Sequence, residues 1–216
     1  RGLADAFLLG EEFIAGEPVC LVLGDNIFYG YGITDKVTAA AQMDEGALVF
    51  AYAVLDPQRY GIIEFDASGR AISIEEKPKQ PKSKYAVPGL YFYDGQVVEL
   101  AKQVKPSARG EIEITDLNRL YMERGQLRVE MLGRGVAWLD AGTHTSLLEA
   151  SNFVQAVEHR QGMMIACPEE ISYERGYITA DELHQLAQKM GDTDYRAYLQ
   201  RLVHEENHPN SHAMWK

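Results

Sequence analysis

Cysteine is scarce. The 216 residues hold two, Cys20 and Cys167, and neither sits in a CxxC or in a Cys/His spacing that binds metal. Both are expected to be reduced core thiols, Cys20 within an apolar run where a small thiol packs well. No stretch of ~18 apolar residues is present to cross a membrane, and no charged-then-apolar leader opens the chain, so a cytoplasmic location is expected. Positive charge is in deficit: 21 Lys and Arg face 32 Asp and Glu, for a formal net charge of −11. A nucleic-acid backbone or an anionic membrane surface is therefore repelled on average, and neither is expected as a partner. There is no internal repeat. The first residue is Arg rather than Met, and Leu3 to Ile14 already has the pattern of the inside of a fold, so an upstream segment is expected to be missing.

What is present is the ordinary balance of a globular protein, 46% hydrophobic and 25% charged, long enough to bury one substantial core. Leu3, Ala6, Phe7, Phe13 and Ile14 recur at helical spacing, and Gly16 follows where a helix stops. Val19–Leu23 and Ala47–Val54 are continuous apolar runs of strand length, suited to strands buried on both faces, with a helix around Asp35–Met43 between them as in a βαβ unit. Ile62–Phe65 and Ala71–Ile74 flank the turn Asp66-Ala67-Ser68-Gly69 and read as a hairpin. Strands are expected at Val87–Tyr93, Val129–Leu132 and Val136–Leu139, and helices at Val97–Val104, Ile114–Glu123 and Ser146–Arg160. The last of these helices carries Leu147, Ala150, Val154 and Val157 on one face. Thr179-Ala180-Asp181-Glu182 has capping-box form ahead of Leu183–Met190, and Tyr195–Val203 reads as a final helix.

These elements predict an α/β fold, a Rossmann-like, mostly parallel mixed sheet flanked by helices with a small C-terminal helical appendage. Residues 1–160 are expected to form a catalytic domain, 161–203 a helical region and 204–216 a frayed tail.

In open α/β sheets ligands bind beyond the carboxyl ends of strands, and three predicted strand ends are acidic. Asp25 follows Val19–Leu23, Glu76 with Lys77 follows Ile72–Ile74, and Asp140 follows Val136–Leu139. Two aspartates from separate strand ends suit one Mg²⁺, which takes few protein carboxylates and leaves positions for phosphate oxygens. Each residue also has a plainer reading. Asp25-Asn26 is ordinary turn chemistry, Asp140 can cap the helix that follows, Glu75-Glu76-Lys77 can be a solvated charge run, and Arg109 a surface arginine.

Their combination in one order resembles the sugar nucleotidyltransferases of the glucose-1-phosphate thymidylyltransferase type. The resemblance runs through Gly2-Leu3-Ala4, Leu23-Gly24-Asp25-Asn26-Ile27-Phe28-Tyr29-Gly30 and Arg59-Tyr60-Gly61-Ile62-Ile63-Glu64-Phe65. It continues through Ile74-Glu75-Glu76-Lys77-Pro78, Gly89-Leu90-Tyr91-Phe92-Tyr93, Ser107-Ala108-Arg109-Gly110-Glu111 and Trp138-Leu139-Asp140. It implies the nucleotide-diphospho-sugar transferase fold, with Asp25 and Asp140 as the two Mg²⁺ ligands. Gly2 would lie against the nucleobase, and Asn26 beside the metal where sugar nucleotide is contacted. Tyr60, Gly61, Glu76 and Val87 would surround the hexose, while Lys77 and Arg109 would hold the sugar phosphate.

The implied reaction joins dTTP and glucose 1-phosphate to give dTDP-glucose and pyrophosphate, in a homotetramer inhibited by dTDP-L-rhamnose and serving cell-surface polysaccharide. Pro88 and Ala141 depart from the family pattern, where Thr is common at both places. The family's opening glycine-rich loop, of GGxGTR type, has no counterpart in Arg1–Lys216. A uridylyl- or cytidylyltransferase of the same fold, or a non-catalytic sugar-nucleotide-binding fragment, therefore remain as alternatives.

Overall fold

In chain order the elements of the first unit are α1 (Asp5–Leu9), α2 (Glu11–Ile14), β1 (Val19–Val22), β2 (Asn26–Gly30), α3 (Ile33–Ala40) and β3 (Ala47–Ala53). A 3₁₀ turn at Pro57–Arg59 precedes β4 (Gly61–Phe65), β5 (Ala71–Glu76), β6 (Tyr85–Ala86), β7 (Leu90–Tyr93), α4 (Val97–Ala101), α5 (Ile114–Glu123), β8 (Leu127–Met131) and β9 (Val136–Asp140). This is a computed structural model, and it describes residues 1–206. The chain divides after Leu147, within α6 (His144–Gln161), into a first unit of residues 1–147 and a second that begins at Leu148. The second unit also carries α7 (Pro168–Glu174), α8 (Ala180–Lys189) and α9 (Asp194–Glu206).

β3 lies at the centre of the first unit because both of its faces are apolar. Ala47, Val49 and Ala51 enter one core, with Phe7, Ile63, Tyr91, Leu117 and Tyr121; Leu48 and Phe50 enter another, with Ala40, Met43, Phe92 and Val136. The two-residue period of a strand sorts them this way, and the expectation of a strand buried on both faces holds here.

It fails for β1. Val19 and Leu21 pack on the first core, but Cys20 and Val22, on the opposite face of the strand, are exposed. Cys20 is thus not the core thiol expected, whereas Cys167 is buried.

The sheet is not mostly parallel. The order is β1-β7-β3-β6-β4-β5, with β8 on the other side of β3, and only the β3–β8 pair is parallel among the pairings of the described residues. β1 and β3 do point the same way, as a βαβ unit requires, but the later strand β7 lies between them, antiparallel to both. An apolar run reports burial of both faces and carries no record of strand direction, so the same run suits a parallel or an antiparallel neighbour.

Residues 85–93 form one extended segment opposite β3, interrupted at Val87-Pro88-Gly89. Val49 faces Tyr91 and Tyr52 faces Ala86, so two extra residues bulge out of the segment. Proline has no N–H for the ladder. Beyond the interruption the sheet forks: β7 continues to β1, while β6 continues to β4 and β5. Gly89 sits at the fork so close to Leu23 that an added Cβ would lie 2.6 Å from that side chain.

A separate two-stranded sheet pairs β2 with β9. The sequence pattern predicts a turn at Asp25-Asn26 and assigns no strand to the residues of β2 that follow. Gly10 splits the helix expected over Leu3–Ile14, leaving Phe13 exposed.

Asp94, itself buried, ties the layers at the end of β7. Its carboxylate accepts from Gly46 N (2.7 Å), Tyr121 Oη (2.8 Å), Gln96 N (3.0 Å) and Gln96 Nε2 (3.0 Å).

In the second unit Cys167, Leu183, Ala187, Tyr198 and Leu199 form a small core. The Thr179–Glu182 capping box is present with both reciprocal bonds. Of the predicted apolar face of α6, Ala150 alone is buried, and Leu147 is exposed. The final helix runs through Glu206 rather than stopping at Val203, and residues 207–216 of the tail expected to fray lie outside the described residues.

Asp94→Ala strands a buried amide and a tyrosine hydroxyl without their acceptor. It should lower unfolding free energy by about 3 kcal/mol. Urea unfolding measures this, and a loss below about 1 kcal/mol would contradict the role of Asp94 as a hub.

Candidate active site

The fork opens into a cleft of ≈ 260 Å³, near the small end of the ~300–1,000 Å³ range typical of small-molecule sites. Asp25, Asn26, Tyr60, Gly61, Glu76, Lys77, Val87, Arg109 and Asp140 all line it. Gly2 does not. At φ 101° it packs on the backbone of Ile112, where a Cβ would come within 2.3 Å of the amide nitrogen, and its neighbour Leu3 lines the cleft instead.

The two aspartates meet through strand pairing. β2 and β9 align Asn26 with Asp140, and Ala141 N donates to Asp25 O at 2.8 Å. Both carboxylates reach the same point beside Gly142: a carbon placed on its Cα would lie 2.9 Å from Asp140 Oδ1 and 3.3 Å from Asp25 Oδ2. Gly142 N also donates to Asp140 Oδ1 at 2.9 Å.

Asn26 joins Asp25 to the rest of the cleft. Its Oδ1 accepts from Trp138 Nε1 at 2.7 Å and Gly89 N at 2.9 Å, and its Nδ2 donates to Asp25 Oδ1 at 2.8 Å.

Across the cleft Glu76 closes the β4–β5 hairpin opposite Gly61. Thr115 Oγ1, in the first turn of α5, donates to Glu76 Oε2 at 2.5 Å. Arg109 is ringed by acids, with Glu111 Oε2 at 3.0 Å, Glu113 Oε1 at 3.6 Å and Glu76 Oε1 at 3.8 Å. Lys77 Nζ lies 3.9 Å from Glu76 Oε1, and Lys77 has φ 41°, a left-handed backbone that a long L side chain rarely adopts. The Lys77 N to Tyr60 O bond, 3.0 Å, helps hold it there.

Several cleft residues escaped sequence reasoning. Arg59 bonds Asp56 Oδ2 at 2.9 Å and Asp140 Oδ2 at 3.4 Å and lies over the Tyr60 ring; the bond to Asp56 is the main reason its pKa is raised. Trp138 forms a wall with Tyr60, ring centroids 5.0 Å apart. A period-two reading of β9 would have put Trp138 on the same face as Asp140. Tyr91 lies against the cleft with its hydroxyl pushed far above the usual tyrosine range by burial, with the Glu76 and Asp25 carboxylates adding to the shift.

The family model described as nucleotidyl transferase matches residues 1–157. The chain belongs to that family. The glucose-1-phosphate thymidylyltransferase of Neisseria meningitidis serogroup A is 57% identical over 202 residues, 94% of this chain and 70% of that protein. Its counterpart in Mycobacterium tuberculosis is 50% identical over 94% of this chain and 70% of that protein. A crystal structure from Bacillus anthracis, assigned as a glucose-1-phosphate thymidylyltransferase and holding sucrose, is similar with a TM-score of 0.62 and 44% identity. That match covers 70% of this chain and 60% of the Bacillus chain. UDP-glucose pyrophosphorylase with UDP-glucose gives a TM-score of 0.62 at 27% identity, covering 70% of this chain and 61% of that one. This nucleotidyl transferase falls among the glucose-1-phosphate thymidylyltransferases, and its α/β architecture is the nucleotide-diphospho-sugar transferase fold.

The left-handed Lys77 backbone gives a stability test. Glycine relieves the strain and alanine does not, so Lys77→Gly should be more stable than Lys77→Ala by about 1 kcal/mol, the reverse of their usual order in a strand. Paired denaturant titrations decide it, and equal stabilities would show the conformation to be unstrained.

Proposed function

We propose that the protein transfers a thymidylyl group from dTTP to glucose 1-phosphate, releasing pyrophosphate. The observation that carries this reading is the convergence in one cleft of two aspartates, a glutamate and two cations, in a chain of this family. A phosphate oxygen of the sugar phosphate attacks the α-phosphorus of the triphosphate, and no covalent enzyme intermediate is needed. The difficulty is to bring two polyanions together, so positioning and charge compensation carry the catalysis.

In this reading Arg109 grips the sugar phosphate with its planar guanidinium and Lys77 adds a compact charge. Phosphate must draw Arg109 away from three carboxylates, which favours a doubly charged ligand over a neutral sugar. Glu76, oriented by the Thr115 hydroxyl, accepts hydrogen bonds from sugar hydroxyls. Tyr60, Gly61 and Val87 enclose the hexose, Asn26 borders it, and Gly2 lies toward the base.

Asp25 and Asp140 offer hard oxygen ligands that reach one point. Among the described residues no group of three or more His, Cys, Asp or Glu is disposed around a metal, and a two-carboxylate set suits Mg²⁺, which is usually held by one or two protein carboxylates plus phosphate and water oxygens. Bound there, Mg²⁺ would neutralise phosphate charge.

The same proposal includes a cytoplasmic location, where nucleoside triphosphates are supplied; among the described residues no helix is long and apolar enough to cross a membrane. Homotetramer formation and inhibition by dTDP-L-rhamnose rest on the resemblance alone.

The test is pyrophosphate release by the full-length protein with glucose 1-phosphate, Mg²⁺ and each of dTTP, UTP and CTP. dTTP should be preferred, and a preference for UTP would move the protein to the uridylyl reading. Asp25→Asn and Asp140→Asn should each lower kcat by at least about 100-fold, the scale of losing one electrostatic contact to a transition state. Near-normal turnover of either variant at saturating Mg²⁺ would overturn the metal assignment.

A further inference from the structure

Asn26 is bonded in a way that fixes its chemistry. Trp138 Nε1 and Gly89 N can only donate, so the amide atom facing both, at 2.7 and 2.9 Å, must be the oxygen. The nitrogen is then forced toward Asp25, whose carboxylate oxygen accepts at 2.8 Å. Neither Asp nor Ser could make all three bonds: Asp offers no donor to Asp25, and the Ser hydroxyl has one hydrogen and a shorter reach.

The three partners come from different elements. Trp138 is on β9 of the two-stranded sheet, Gly89 is at the fork of the large sheet, and Asp25 is in the turn between β1 and β2. The Gly89 carbonyl also accepts from Leu23 N at 2.9 Å, so this residue grips the turn at two points. Trp138 is in turn held by aromatic rings, Tyr52 in an edge-on contact at 5.7 Å and Tyr60 at 5.0 Å.

We propose that Trp138 is a positioning residue for Asp25: its indole N–H, acting through the Asn26 amide, sets the carboxylate that receives the divalent cation. The inference rests on the metal reading above and goes beyond it. The wall that faces the sugar and the carboxylate that faces the metal become parts of one hydrogen-bonded unit. A ring that only lined the cleft would need no N–H.

The experiment is a double-mutant cycle in the full-length protein with dTDP-glucose bound, reading Mn²⁺ affinity from the EPR signal of the free ion. Trp138→Phe keeps an aromatic wall and removes the donor. It should raise the Mn²⁺ Kd about fivefold, the worth of one hydrogen bond, and lower kcat while the KM for glucose 1-phosphate stays within about twofold. Asn26→Ala should weaken Mn²⁺ by at least as much. In the Asn26→Ala background Trp138→Phe should have no further effect, because the link is already cut.

Unchanged Mn²⁺ binding in Trp138→Phe would overturn the proposal, as would a double-variant loss equal to the product of the single losses. If Trp138→Phe does not fold, Asn26→Ala decides: a raised KM for the sugar phosphate with unaltered Mn²⁺ binding makes Asn26 a substrate contact and sinks the inference. Absence of Mn²⁺ binding to the unaltered protein would instead remove the metal reading itself, so the two failures are distinguishable.

Discussion

The pairing of β2 with β9 is the constraint on which the site depends. Asp25 and Asp140 are separated by most of the first unit in sequence, and neither has any local reason to approach the other. The register that places Asn26 opposite Asp140 brings them together, and the Ala141 N to Asp25 O bond closes the ladder one step further. A slip of one residue would turn Asp140 to the other face and leave Asp25 facing nothing acidic.

A second constraint gives the cleft its room. The large sheet cannot remain continuous at Val87-Pro88-Gly89, because the proline lacks an N–H and two residues too many face β3. The fork that results separates the β1–β7 arm from the β6–β4–β5 arm. The first arm leads to the turn bearing Asp25, and the second bears Gly61 and Glu76 at the open end of its hairpin. The freed backbone groups are reused, with Gly89 N bonding Asn26 and Val87 N bonding Gly61 O. A bulge beside an active site is thus a means of aiming side chains rather than a defect.

Charge in the cleft is arranged in opposed pairs. Arg59 rests on Asp56 and Asp140, and Arg109 on Glu111, Glu113 and Glu76, in a protein of net charge −11. The exposed members of these pairs contribute little to stability, since solvent screens them. Under the proposed function their consequence is selectivity. An anion entering the cleft must offer more to the guanidinium groups than the resident carboxylates do, and phosphate groups meet that demand through charge and bidentate geometry.

Local pattern was enough to read a good part of this molecule. The two-faced burial of β3, the β4–β5 hairpin with Glu76 at its end, the α5 helix and the Thr179–Glu182 capping box all follow from interactions within a few residues. The resemblance of short motifs supplied nine of the residues that line the cleft, and also Gly2, which does not line it. Only the tertiary structure decided that β7 runs between β1 and β3, that Cys20 stays exposed on an uncovered strand face, that Gly2 packs on Ile112, and that Arg59, Trp138 and Tyr91 belong to the site. The reason is physical. Periodicity along a chain reports which faces a residue buries, whereas the identity of a neighbouring strand, and of the single amide that ties three elements together, depends on contacts between segments far apart in sequence.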